Sequence, residues 1–155
     1  MPNIVSSFVE VAVFRFQGDR PEYLLLRRSS GEPVYPNLWQ LVTGKVKARE
    51  KTVEAALREL REETGFAPSA FWVVPTVGAF FDYTTDSVSM IPAFACQVKP
   101  GMDPILSTEH SAFAWLPCRQ ASDRLVWPGQ KRILETVHSS ILGGEIAGIL
   151  SRIEL

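Results

Sequence analysis

Apolar and polar residues alternate over 7–16, where Phe8, Val11, Val13 and Phe14 stand among polar neighbours. A period of two predicts a β-strand. Gly18-Asp19 is a turn signal, and the apolar run over 23–28 behind it predicts a second strand. Two prolines make 31–37 a loop, and 38–43 reads as a short strand. Over 53–64 the period changes. At about 100° per residue Val53, Ala56, Leu57 and Leu60 fall in one arc, so this segment is a helix with that arc against a sheet. Segments 72–83 and 88–98 are β-rich and joined through Thr84-Thr85-Asp86-Ser87, a hairpin signal. Gly78 inside the first of them marks a bulge or a close backbone approach. Another strand is expected over 111–116. Pro128 suits the first turn of a helix running to 140, with Ile133, Leu134 and Val137 on one face. Gly143-Gly144 then breaks the chain ahead of a short helix over 145–152. Strands, an inserted helix, more strands and a closing helix predict an α/β fold, a mixed sheet with helices on both faces.

With 155 residues and 46% apolar content, the chain is expected to form a single domain, 1–155. A net charge of −1 argues against a nucleic acid polymer as partner. Local basic pairs, Arg27-Arg28 and Lys131-Arg132, still leave room for small anionic ligands. Cys96 and Cys118 show no metal-ligand spacing and read as free thiols of a reducing cytoplasm, the expected location. Glu10 and Arg15 interrupt the N-terminal apolar run, so this segment is not expected to act as a signal peptide. No run of eighteen apolar residues is present, so neither a membrane helix nor a membrane partner is expected.

The chemistry concentrates between Gly44 and Phe66, GKVKAREKTVEAALRELREETGF. Glu59, Glu62 and Glu63 are spaced i, i+3, i+4 and share a helix face beside the apolar arc. Carboxylates so close raise one another's pKa unless a cation sits among them. Hard oxygen ligands select Mg2+, with Mn2+ as substitute, and Mg2+ keeps positions free for substrate phosphates. Ala55 falls on the carboxylate side and leaves room for phosphates. Arg58 can reach Glu62 one turn on and orient the carboxylates. Glu50, in the loop ahead of the helix, is either a loop anchor or a direct ligand. Gly44 permits a sharp bend, and Gly65 suits a left-handed helix cap with Phe66 folding back towards Leu60.

The spacing of Gly44, Glu50, Arg58-Glu59, Glu62-Glu63 and Gly65 resembles the signature of the Nudix hydrolase family without mismatch. Seven fixed positions at roughly one in fifteen each coincide by chance about once in 10^8 starts. The resemblance implies an α/β/α sandwich, a Mg2+-dependent pyrophosphohydrolase acting on a small diphosphate-containing substrate, and a homodimer as in many relatives. It implies metal ligation by Glu59, Glu62, Glu63 and the Gly44 carbonyl, and favours Arg28 over Arg27 as phosphate contact. It also points to Glu109, on a late loop beside His110, as extra metal ligand or general base. Trp39-Gln40-Leu41-Val42-Thr43-Gly44, Glu109-His110 and Trp127 are similar to the dATP or dihydroneopterin triphosphate branch of that family. In this reading Trp39, Tyr83 and Trp127 lie near the substrate ring and Gln40 hydrogen-bonds its edge. Tyr83 also stands where diadenosine polyphosphate hydrolases carry a tyrosine. A diadenosine polyphosphate or nucleotide-sugar hydrolase, or a nucleotide-sensing module without turnover, are the alternatives.

Overall fold

In the computed structural model, which describes residues 1–155, nine strands form one mixed sheet with helices on both faces. The strands are β1 (Asn3–Val5), β2 (Phe8–Gln17), β3 (Arg20–Arg28), β4 (Trp39–Gln40), β5 (Val42–Lys45), β6 (Ala70–Asp82), β7 (Ser87–Gln97), β8 (His110–Leu116) and β9 (Arg152–Ile153). The helices are α1 (Thr52–Thr64), α2 (Cys118–Arg124), α3 (Pro128–Thr136) and α4 (Ile146–Leu150). The sheet path runs β4-β3-β2-β7-β6-β9, with β1 on β7, β5 on β2 and β8 on β3. The pairs β2–β7 and β1–β7 are parallel and the others antiparallel. No helix is long and apolar enough to cross a membrane.

Alternation along β2 divides the core into two layers. Val9, Val11 and Val13 join Ala56 and Leu60 of α1, whereas Ala12 and Phe14 join Ala121 of α2 and Ile133 and Leu134 of α3. Every one of these side chains is at most 1% exposed, so each layer is dry. Removing such surface from water at about 25 cal/mol per Å² is what holds α1 to the sheet. Glu10 takes its place in the same alternation, on the α3 side, and is also buried.

The site takes its shape from a divergence of two strands. β3 pairs with the end of β2 only through Arg20 to Tyr23 and then continues beside β8 and β4. β5 takes its place on β2, pairing Val9 with Gly44 and Glu10 with Thr43. The single strand expected over 38–43 is therefore two. Leu41 interrupts it, because β4 serves β3 and β5 serves β2. The helix expected to run to 140 is α-helical to Thr136 and continues as a π-helical turn over Val137–Leu142. The closing helix stops at Leu150, and the chain pairs again through Arg152–Ile153 on β6. In β6 the register shifts between Val73 and Val77, upstream of Gly78, which keeps a regular partner in Ile91.

Candidate active site

A left-handed Gly65, φ 73°, ends α1 by donating its N–H to the Arg61 carbonyl, and Phe66 folds into the core beside Leu60. At the other end the Lys51 N–H donates to Glu54 Oε2 at 3.0 Å. Between these caps α1 presents its carboxylates to β5. A Cβ at Gly44 would overlap the side chain of Glu59, so only glycine lets that carboxylate lie flat on the strand. Ala55, by contrast, is fully buried in the α1 layer and leaves no room for phosphates there.

Arg58 organises the cluster. Its Nε and Nη2 donate to the two oxygens of Glu50 at 2.7 and 3.0 Å, its Nη1 to Glu59 at 2.6 Å and Glu62 at 3.2 Å, and its Nη2 to the Lys45 carbonyl at 2.8 Å. Paired geometry of this kind is what a planar guanidinium offers and an ammonium does not. Glu50 also accepts from the Lys47 N–H at 2.8 Å. The Arg58 guanidinium, followed by the Lys47 amide, holds the Glu50 carboxyl well below the usual range. Glu50 is thus committed to the arginine and the loop, the anchoring alternative of the two its sequence position allowed.

Glu63 is the anomaly. It is 2% exposed, neither carboxylate oxygen sits in a well-formed hydrogen bond, and the Thr43 backbone N–H gives its ionised form only minor support. Burial, and after it the charges of Glu59 and Glu109, pushes its pKa up to about 9. Glu59 is raised as well, chiefly by burial and against the pull of Arg58. An ionised carboxylate in this position calls for more positive charge than Arg28 supplies. The side chains do not close a three-ligand cage by themselves. An acceptor-rich, hydroxyl-free donor set with two under-satisfied oxygens nevertheless fits a hard divalent ion that takes further oxygens from substrate and water.

The other residues singled out from sequence divide between the two faces of the sheet. Arg28 lies on the α1 side, where its charge opposes the raised pKa of Glu63, and its guanidinium donates to the Val34 carbonyl at 2.8 Å and to Glu32 at 3.3 Å. Arg27 points outward to the Asn37 carbonyl. Gln40 Nε2 lies 3.1 Å from His110 Nε2. His110 is buried, and its pKa is pushed down to about 4, so the neutral ring accepts this bond. Glu109, in the turn before β8, is near enough to raise both Glu59 and Glu63. Trp39 faces the α3 side, under the guanidinium of Arg124 at 5.0 Å. Trp127 caps α3 and meets Tyr35 edge-on at 5.0 Å. Tyr83 is 84% exposed in the β6–β7 turn, apart from this assembly.

Sequence reasoning gave Glu10 no role beyond interrupting an apolar run. It is 4% exposed on the α3 face, and burial raises its pKa to about 7. The folded state therefore binds a proton that the unfolded chain releases near 4.5, and stability falls as pH rises from there to about 7. Glu10→Gln should remove that slope. Relative to the variant, wild-type protein should lose up to ~3 kcal/mol between pH 4.5 and 8, at 1.36 kcal/mol per unit. Denaturant melts at both pH values check this, and parallel pH profiles would refute it.

The NUDIX domain model matches residues 7–137, which include every carboxylate of this cluster. The chain belongs to the Nudix family. Among its relatives, this Nudix chain is 32% identical over 134 residues to an octanoyltransferase of Myxococcus xanthus, covering 82% of the chain and 35% of that protein. Because the chain spans about a third of that relative, the transferase activity in its name does not carry over. It is 29% identical over 119 residues to the asymmetrical bis(5'-nucleosyl)-tetraphosphatase of Mus musculus, covering 76% of the chain and 78% of the relative. The solved E. coli dihydroneopterin triphosphate pyrophosphohydrolase superposes with a TM-score of 0.70 at 20% identity, over 84% of this chain and 95% of that one. At that identity the likeness is one of fold. Nudix hydrolases act on nucleoside diphosphate-linked compounds and generally use divalent metal ions.

Proposed function

We propose that this Nudix protein is a Mg2+-dependent pyrophosphohydrolase that splits a phosphoanhydride of a nucleoside or pterin triphosphate, releasing monophosphate and pyrophosphate. The observation that carries the reading is Glu63, buried beside Glu59 and Glu109 with neither oxygen in a well-formed hydrogen bond. Glu59, Glu62, Glu63 and the Gly44 carbonyl would hold the cation, with Glu109 as a further ligand or as base. When bound, Mg2+ neutralises phosphoryl oxygens and lowers the pKa of water. The side chains do the rest. Arg58 fixes Glu59 and Glu62 in place, so that no reorganisation is needed as charge develops. As base, Glu109 takes the proton of the attacking water. Arg28 turns from Glu32 to a substrate phosphate, exchanging one charge-assisted bond for another.

Arg28→Ala should raise KM about tenfold or more, the scale of one lost charged hydrogen bond. Arg27→Ala, on the outer face, should leave KM within about twofold. Equal effects in steady-state assays would return both arginines to the surface.

The similarity to the mouse tetraphosphatase supports a second reading, in which the same site cleaves a diadenosine polyphosphate. One panel separates the two. Under a single Mg2+ condition, kcat/KM is compared for dATP, dGTP, dihydroneopterin triphosphate, diadenosine tetraphosphate and ADP-ribose. A triphosphate should lead, and a clear preference for either of the last two would overturn the assignment.

A further inference from the structure

The turn that carries Glu109 gains little from its own contacts. Ser107 Oγ and His110 Nδ1, on either side of Thr108 and Glu109, are buried and have no hydrogen-bond partner. Within the turn one long bond runs from the His110 N–H to the Ser107 carbonyl, at 3.3 Å. Buried polar atoms left unpaired favour a looser arrangement in which water reaches them. The turn keeps its shape, so its anchors lie outside it.

Two anchors are present. Ser29, the residue after β3, donates its N–H to the Glu109 carbonyl at 2.8 Å and its hydroxyl to the Thr108 carbonyl at 2.9 Å. Gln40 supplies the other, through the 3.1 Å bond between its Nε2 and His110 Nε2. β3 runs between these two residues, because Gln40 of β4 pairs with Leu26 and His110 of β8 pairs with Arg28. Residues directly opposite one another in antiparallel strands project on the same face. Gln40 therefore shares the face of Leu26, which packs in the α1 layer, and His110 shares that of Arg28. Their bond crosses β3 on the side of the carboxylate cluster. At 9% and 4% exposed, both residues are shielded from competing water, which strengthens the bond.

We propose that Gln40 is a positioning residue: through His110 it fixes the turn that holds the Glu109 carboxylate against the α1 cluster, and it does not read the substrate ring. Glu109 itself is exposed, so the place of its carboxylate follows that of the turn. Groups behind those that meet metal or water set their aim, and losing one typically costs ~10- to 100-fold. The proposal rests on the reading of Glu109 as base or further ligand.

Steady-state rates and a double-mutant cycle test it. Gln40→Leu, which keeps bulk and loses the amide, should lower kcat ~10-fold, with KM for dATP and dGTP within about threefold of wild type. The dGTP-to-dATP preference should not change. In the Glu109→Gln background the same substitution should cost no more than about twofold, since no carboxylate is left to aim. Hydrogen exchange on the metal-free protein gives a readout apart from turnover. The Ser29 and His110 amides should exchange at least ~10-fold faster in Gln40→Leu, while Leu60 of α1 exchanges as in wild type. Should that variant fail to fold, Ser29→Ala weakens the other anchor and should lower kcat about threefold, again only when Glu109 is present. A loss that persists without the Glu109 carboxylate, a changed base preference, or unchanged exchange at Ser29 in Gln40→Leu overturns the proposal. If Glu109→Gln alone leaves kcat unchanged, the reading of Glu109 falls first and this role falls with it.

Discussion

Glu63→Gln should lower kcat at least ~10^2-fold at saturating Mg2+, on the scale of losing one preorganised charge stabiliser in a closed site. The substitution keeps shape and volume, so the core beneath α1 is untouched. What changes is charge. Wild-type Glu63 is held in a position where burial and two neighbouring carboxylates oppose its ionisation. Only a bound cation makes the ionised form favourable there. An amide needs no cation, and so it retains the fold while losing the reason for the site. In metal-free buffer at pH 7 the variant should melt higher than wild type, because wild type must take up a proton to bury this side chain and the amide need not. Near-wild-type kcat in the variant would remove Glu63 from the chemistry.

Gly44→Ala should be nearly as damaging, for a steric reason. The added methyl would occupy the space of the Glu59 side chain, and Glu59 cannot retreat without giving up its 2.6 Å bond to Arg58. Because Gly44 pairs with Val9 in the ladder, the strand cannot move aside without opening the sheet. The expected outcome is a fall of ~10-fold or more in kcat/KM with weakened metal activation. The stability loss should stay within the ~1–3 kcal/mol typical of overpacking. Unchanged metal activation would mean that Glu59 does not need the strand surface. Steady-state rates across a Mg2+ titration make the comparison.

The helix of the site was legible because its pattern is dense. Over Thr52–Thr64 the apolar arc, the acidic face and the glycine cap all agree, and each follows from a local rule. The Glu50–Arg58 tie was partly legible. The sequence placed Arg58 within reach of Glu62, but its bonds to Glu50 and the Lys45 carbonyl join residues eight and thirteen apart through a loop. The break at Leu41 could not be read from 38–43, since it depends on two other strands diverging. β1 and β9 are three and two residues long, and their pairing is decided by what they lie beside. α2, seven residues after Pro117, is too short to show a period. Glu10 left one signal, an acid at an inward position of an apolar strand, and Gln130 left none. Their side-chain contact exists only once α3 is laid across the sheet.

The central claim is that the carboxylate cluster of α1 directs hydrolysis of a triphosphate between its α and β phosphorus atoms. Phosphorus NMR of dGTP incubated with the full chain and Mg2+ tests it most directly, with chelator and with Glu63→Gln as parallel samples. The account predicts dGMP and pyrophosphate in equal amounts, appearing only with metal and at least ~10^2-fold more slowly in the variant. Release of dGDP and inorganic phosphate, or turnover that survives both chelation and the loss of Glu63, would contradict it.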